Sequence, residues 1–89
     1  MIEGLPLTYL QLLQFLDALA GDSGCQFNET EWKCGGPEFT YARKILTAMR
    51  IDSSDQKKVL KICKENGGYC DCEILMNAAR FLLGEDTPW

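Results

Sequence analysis

The residues best suited to chemistry in this chain are its cysteines, of which the 89 residues contain five. A thiolate is a nucleophile and a soft metal ligand, and clustered cysteines in a reducing compartment more often bind metal or carry out redox reactions. The sequence contains no histidine, so a zinc site made of cysteine alone is the main option, with Asp71 or Glu73 as substitute ligands. The first hypothesis is a non-enzymatic binding module stapled by a structural zinc, and its predicted ligands are Cys34, Cys63, Cys70 and Cys72.

The elements that must position these thiols are helices. Apolar residues recur at helical spacing, which predicts a mainly α fold: a small bundle of about four helices in a single domain over residues 1–89. The domain divides into an N-terminal helix with a loop or hairpin (1–33), a cysteine-bearing helical core (34–83) and a tail (84–89). The predicted helices are Pro6 to Ala20, Pro37 to Arg50, a segment capped by Asp52 or Ser53 and ended by Gly67, and a segment capped by Asp71.

Between the first two helices, the segment from Cys25 to Cys34 fits a short β-hairpin that turns at Asn28-Glu29. Phe27 and Trp32 are the expected core anchors of that hairpin.

The order of the helices brings the cysteines together. Helices joined by short loops pack as antiparallel neighbours, so the second helix begins at the end where the third finishes and the fourth begins. Cys34 precedes the second helix and Cys63 lies near the end of the third. Cys70 and Cys72 flank the start of the fourth, where the partial positive charge of a helix N-terminus favours a thiolate. We therefore expect all four at one end of the bundle.

Other interpretations of the same cysteines stay open. Buried cysteines often act as small apolar residues, and this interpretation is favoured for Cys25 and, on its apolar helical face, for Cys63. The pair Cys70 and Cys72 has polar neighbours and favours a functional role. A thiol redox or thiol-sensing protein is the second hypothesis, with an easily reduced disulfide between this pair and Cys34 as the resolving thiol.

The charge distribution bears on the partner. The net charge is −4, but the stretch from Arg43 to Lys64 carries +5 and the remainder −9. Such a block either docks an acidic partner or is simply the solvated side of two helices, and the second interpretation is favoured. The acidic total and the lack of a recognition motif argue against nucleic acid. A protein partner is expected, and a plain helical interaction domain with inert cysteines is the third hypothesis.

Some functions are disfavoured by what the sequence lacks. Without histidine, neither a Ser-His-Asp nor a Cys-His arrangement can form, and we expect no enzyme of that kind. No run of about 18 apolar residues is present. The first apolar segment has no basic residue before Lys33, so it is interpreted as a helix rather than an export signal, which predicts a cytoplasmic protein.

The fourth helix begins in a stretch that resembles the C-terminal signature of a prokaryotic family, domain of unknown function 2695. The residues that carry the resemblance are Gly67-Gly68-Tyr69-Cys70-Asp71-Cys72-Glu73-Ile74-Leu75-x-Asn77. It extends back to Cys34, but Gly35-Gly36 stand where that family often has an acidic residue and a histidine. Cys63 or Cys25 would then replace the histidine ligand, or the signature is only a rigid loop and helix cap. The resemblance implies no known activity.

Overall fold

The structure is a computed structural model that describes residues 1–27 and 31–89. The regular structure in these residues is helical: α1 (Tyr9–Ala20), α2 (Thr40–Ala48), α3 (Ser53–Glu65) and α4 (71–83). Helix α4 is composite, and its three parts are Asp71–Glu73, a π-helical turn Ile74–Ala78, and Ala79–Leu83. The prediction of a mainly helical fold with about four helices is confirmed. Within the described residues, no helix has the length and apolar character needed to cross a membrane.

Each helix contributes one apolar face to a shared core. The buried residues of α1 follow helical spacing, as do those of α3, so one stripe of each helix faces inward. The principal fully buried side chains are Leu12, Phe15, Leu16, Leu19, Phe39, Leu46, Val59, Ile74, Leu75 and Leu82. The N-terminal segment closes against this core, because the Ile2 N–H donates to the Leu82 carbonyl at 2.9 Å.

Local chemistry explains where the helices begin and end. Helix α1 starts at Tyr9 rather than Pro6 because Thr8 and Gln11 form a capping box. Asp52 caps α3, as predicted, by accepting from the Asp55 N–H at 2.8 Å. Gly67 follows the end of α3 with a φ of 90°, a conformation in which a Cβ would be strained.

The predicted β-hairpin between Cys25 and Cys34 is not supported. Residues 25–27 and 31–34 contain no strand, and the proposed turn at Asn28-Glu29 includes residues outside those described. The two arms do approach each other, since the Lys33 N–H donates to the Cys25 carbonyl at 2.6 Å. The rings of Phe27 and Trp32 stack at 5.1 Å, but Trp32 is 46% exposed and is not a core anchor.

Candidate metal centre

Three of the four predicted ligands come together. The Sγ atoms of Cys34, Cys70 and Cys72 all lie within 4.8 Å of one another. Cys34 belongs to the loop before α2, whereas Cys70 occupies the N-cap position of α4 and Cys72 lies in its first turn. The cluster therefore joins two segments that are distant in sequence, at the start of two different helices.

The spacing of the thiols fits a tetrahedral zinc ion. Zinc–thiolate bonds of about 2.3 Å at tetrahedral angles place neighbouring sulfurs about 3.8 Å apart. The Sγ atoms of Cys70 and Cys72 are 3.4 Å apart, and no pair in the cluster exceeds 4.8 Å. Thiolates are soft donors, and such a donor set suits zinc.

Cys34 is the thiol most ready to ionise. Burial raises its pKa, but hydrogen bonds from the backbone N–H groups of Cys72 and Gly36 and from the thiols of Cys72 and Cys70 outweigh burial and lower it overall. The Gly36 N–H lies 3.4 Å from Cys34 Sγ. Because the Cys72 N–H belongs to the first turn of α4, the helix N-terminus helps to stabilise the Cys34 thiolate.

The other two thiols keep their protons more firmly. Burial raises the pKa of Cys70 to about 12, and its interactions with Cys72 and Cys34 add to this effect. Burial is the main cause that raises the pKa of Cys72, and its hydrogen bond with Cys34 raises it further. Among the three cluster thiols, Cys34 is therefore the one that loses its proton most readily.

Glu73 contacts one thiol of the cluster. The Cys70 thiol donates to Glu73 Oε1 at 3.4 Å, so this carboxylate borders the cluster. Its other oxygen faces the side-chain amide of Asn77 at 3.5 Å, and that amide also donates to the Gly67 carbonyl at 3.0 Å. A carboxylate oxygen is an accepted fourth ligand for zinc, and Glu73 was among the predicted substitutes.

Cys63, the fourth predicted ligand, does not join the cluster. It is fully buried in α3 among apolar residues, and burial raises its pKa to about 12. Its position follows from helical spacing, because it lies four residues after Val59 on the face that packs into the core. Cys25 is also fully buried, and its pKa of about 12 reflects burial first and the charges of Asp71, Cys34 and Cys70 next.

Asp71 lies between two cysteines of the cluster in sequence, but its carboxylate binds backbone N–H groups of α2. Its carboxylate is 0% exposed and accepts from the N–H groups of Tyr41 at 3.0 Å and Ala42 at 3.1 Å, in the first turn of α2. Burial raises the pKa of Asp71, although its bonds to the N–H groups of Tyr41, Ala42 and Gly35 act in the opposite direction. The prediction that Asp71 caps its own helix is therefore wrong.

Sequence reasoning missed this long-range cap. The residue at the N-cap position of α2 is Phe39, which has no side-chain capping bond, so the helix depends on a carboxylate from α4. Gly35 leaves room for that carboxylate, because a Cβ there would coincide with Asp71 Oδ2. The available signals were an apolar residue where a cap is expected and a glycine next to a cysteine.

The glycine pair before the cluster is explained by close packing. A Cβ on Gly68 would lie 3.1 Å from both the Cys63 carbonyl oxygen and Ile74 Cα, so the loop passes directly over α3 and α4. The Gly68 N–H donates to the same carbonyl at 2.8 Å. With the Asn77 bond to Gly67, these contacts fix the path of the chain into Cys70.

Comparison with known proteins agrees with the resemblance seen in the sequence. Neither a curated protein nor a solved structure matches the chain. One family does match, over residues 12–77, so the similarity reaches back into α1 and further than the predicted start at Cys34. The matched region contains the whole cysteine cluster, Glu73 and Asp71. The chain belongs to the family described as protein of unknown function DUF2695.

Proposed function

We propose that this protein is a small, non-enzymatic binding module whose fold is stapled by one zinc ion held by Cys34, Cys70 and Cys72. The observation that carries the proposal is the convergence of these three Sγ atoms within 4.8 Å from two distant segments. Glu73 contacts Cys70 but lies outside the group of three Sγ atoms, and its side chain would turn toward them to supply the fourth ligand. The cytoplasm, as a reducing compartment, would keep the thiols available for metal.

A staple at this place suits the way the fold is built. The loop that carries Cys34 leads directly into α2, and α2 is capped by Asp71 between the other two ligands. A metal there would fix the starts of α2 and α4 against each other. Any ligand that binds only the folded state adds stability, about 4 kcal/mol when present at 1,000 times its dissociation constant.

The test is native mass spectrometry of the freshly purified protein, with thiol counting on the same sample. We expect one zinc per chain, three thiols that become reactive only after a chelator is added, and loss of zinc in Cys34→Ser and Cys72→Ser. Glu73→Gln should weaken zinc binding without abolishing it. Cys63→Ala is the matched control and should retain the metal.

A metal-free mass with the cluster thiols fully reactive would remove the zinc proposal. The lowered pKa of Cys34 beside two further thiols favours thiol redox chemistry as the second candidate. In that case a disulfide oxidant such as oxidised glutathione accepts two electrons as Cys34 and Cys72 join. The mass of the protein then falls by one pair of hydrogens, and Cys34→Ser prevents the change.

A further inference from the structure

A basic pocket lies between α2 and α3 and uses none of the cysteines. It has a volume of about 200 Å³ and is lined by Phe39, Arg43, Lys57, Leu60, Lys61 and Lys64. A second pocket of about 160 Å³ shares Arg43, Lys57 and Leu60 with it and adds Ser53 and Gln56. Since they share these walls, the two pockets form one feature, called here the basic groove.

Helix geometry explains why the cations converge. Lys57, Lys61 and Lys64 are spaced by four and then three residues, so they stand on one face of α3. Arg43 faces them from α2, one turn after Phe39. Buried Leu60 and Phe39 form the apolar floor. Four positive charges therefore surround a small concave surface.

These charges are not neutralised within the described part of the chain. Arg43, Lys57 and Lys61 form no ion pair there, and the Lys64 ammonium lies 5.5 Å above the centre of the Phe39 ring. An ion pair between Lys58 and Asp55, at 3.9 Å, lies beside the groove. Acidic residues are not scarce, because the chain has 13 of them. The groove thus offers unpaired cations for an external anion.

We infer that the basic groove binds a short acidic peptide segment of a partner protein. Several carboxylates of such a segment would match the four cations around this small concave surface. A nucleic acid fits less well, because its charges continue along the strand, whereas the sequence outside residues 43–64 carries a net charge of −9. Because the described residues span only 33 × 25 × 21 Å, a nucleic-acid strand that extends beyond the groove would pass close to the more acidic remainder of the protein.

This inference rests on the proposed binding role but not on the metal. Its residues are separate from Cys34, Cys70 and Cys72, so the two proposals can fail independently. Failure of zinc binding would leave the groove intact as long as the protein folds. Failure of peptide binding would leave the metal centre untouched.

The test is a titration of the isotopically labelled, full-length protein with an acetylated hexaglutamate peptide, followed by nuclear magnetic resonance. We expect shifts confined to the amides around Phe39, Arg43 and 57–64, and an affinity that falls as salt is added. Removing one exposed cation should weaken binding about two- to fivefold, so Lys57→Gln with Lys61→Gln should weaken it about four- to 25-fold. Zinc content, measured on each sample, should not change.

Lys44→Gln with Lys58→Gln is the matched control. It also removes two positive charges, one from α2 and one from α3, but neither residue lines the groove. It should change the affinity less than about twofold. Equal losses in both double variants would mean that only total charge matters, which overturns the inference. So would no binding by the wild-type protein, or tighter binding of a short oligothymidylate at the same residues, which would identify a nucleic-acid surface.

Discussion

At the scale of single residues, the five thiols differ in burial and in pKa, and the folded environment of each thiol sets these differences. Cys34 is exposed and has a lowered pKa, whereas Cys25 and Cys63 are fully buried and have values of about 12. The sequence indicates the burial of Cys63 through its apolar helical face. It cannot indicate the low pKa of Cys34, because this depends on the Cys72 N–H and other groups brought there by folding.

The buried Cys63 thiol predicts a loss of stability in alkali. Its folded pKa is raised, so its contribution is complete below the usual thiol pKa of 9.0 and is lost as pH rises toward about 12. Across that window the unfolded chain ionises first, and the free energy of unfolding should fall by about 1.4 kcal/mol per pH unit for this thiol. Urea unfolding of the metal-free protein at several alkaline pH values measures the slope.

Cys63→Ala provides the comparison for that slope. The variant is expected to be less stable at neutral pH, because it loses a buried sulfur, but its stability should decline less steeply above pH 9 than that of the wild type. Identical slopes in the two proteins would contradict the assigned pKa. Cys25, which remains in both, cancels in the difference.

At the scale of elements, the informative contact is the one between the first turns of α4 and α2. Asp71 accepts two N–H groups of α2, and replacement by asparagine would leave one of those donors facing an amide NH2 group. We expect Asp71→Asn to destabilise the protein by about 1–3 kcal/mol, measured by urea unfolding. Metal-free samples should be used, so that lost zinc does not add to the result.

Asp52→Asn is the control for this prediction. Asp52 caps α3 with the same kind of bond to a backbone N–H, but it is exposed and local, and asparagine caps a helix about as well as aspartate. This variant should stay close to the wild type. Equal effects of the two substitutions would mean that the buried position of Asp71 contributes nothing special.

The helices themselves could be predicted from sequence, because their apolar faces and local caps depend on residues that are close together in the chain. Asp52 and Gly67 are examples, since each acts within a few residues of the helix end it defines. The start of α2 could not be predicted in this way, because its cap lies 29 and 30 residues away in Asp71. The predicted hairpin is not supported either. The rings of Phe27 and Trp32 stack and so join the two arms, but the described residues of the arms form no strands.

At the scale of the whole molecule, the metal and the pH should act together on stability. The pKa values of Cys70 and Cys72 are raised, so the proposed zinc ion would have to displace protons that these thiols hold firmly. Apparent zinc affinity should therefore rise with pH across the neutral range, and the extra thermal stability given by zinc should shrink as pH falls. Melting curves with and without zinc at several pH values test this, and a pH-independent zinc effect would contradict it.

The convergence of distant segments was predictable from topology, since helix order alone indicates a shared end for Cys34, Cys70 and Cys72. The composition of the site was less predictable. Two sequence signals disagree about Cys63: helix order places it at the shared end, whereas its apolar helical face indicates burial, and in the structure it lies in the core with Val59.

Ionisation of Cys34 in the metal-free cluster would have an electrical consequence. Once Cys34 is ionised, a zinc ion that replaces the protons of Cys70 and Cys72 brings two positive charges and removes two. The exchange is electroneutral. Loading with metal would then leave the electrophoretic mobility of the folded protein unchanged, along with the long-range field around its basic groove.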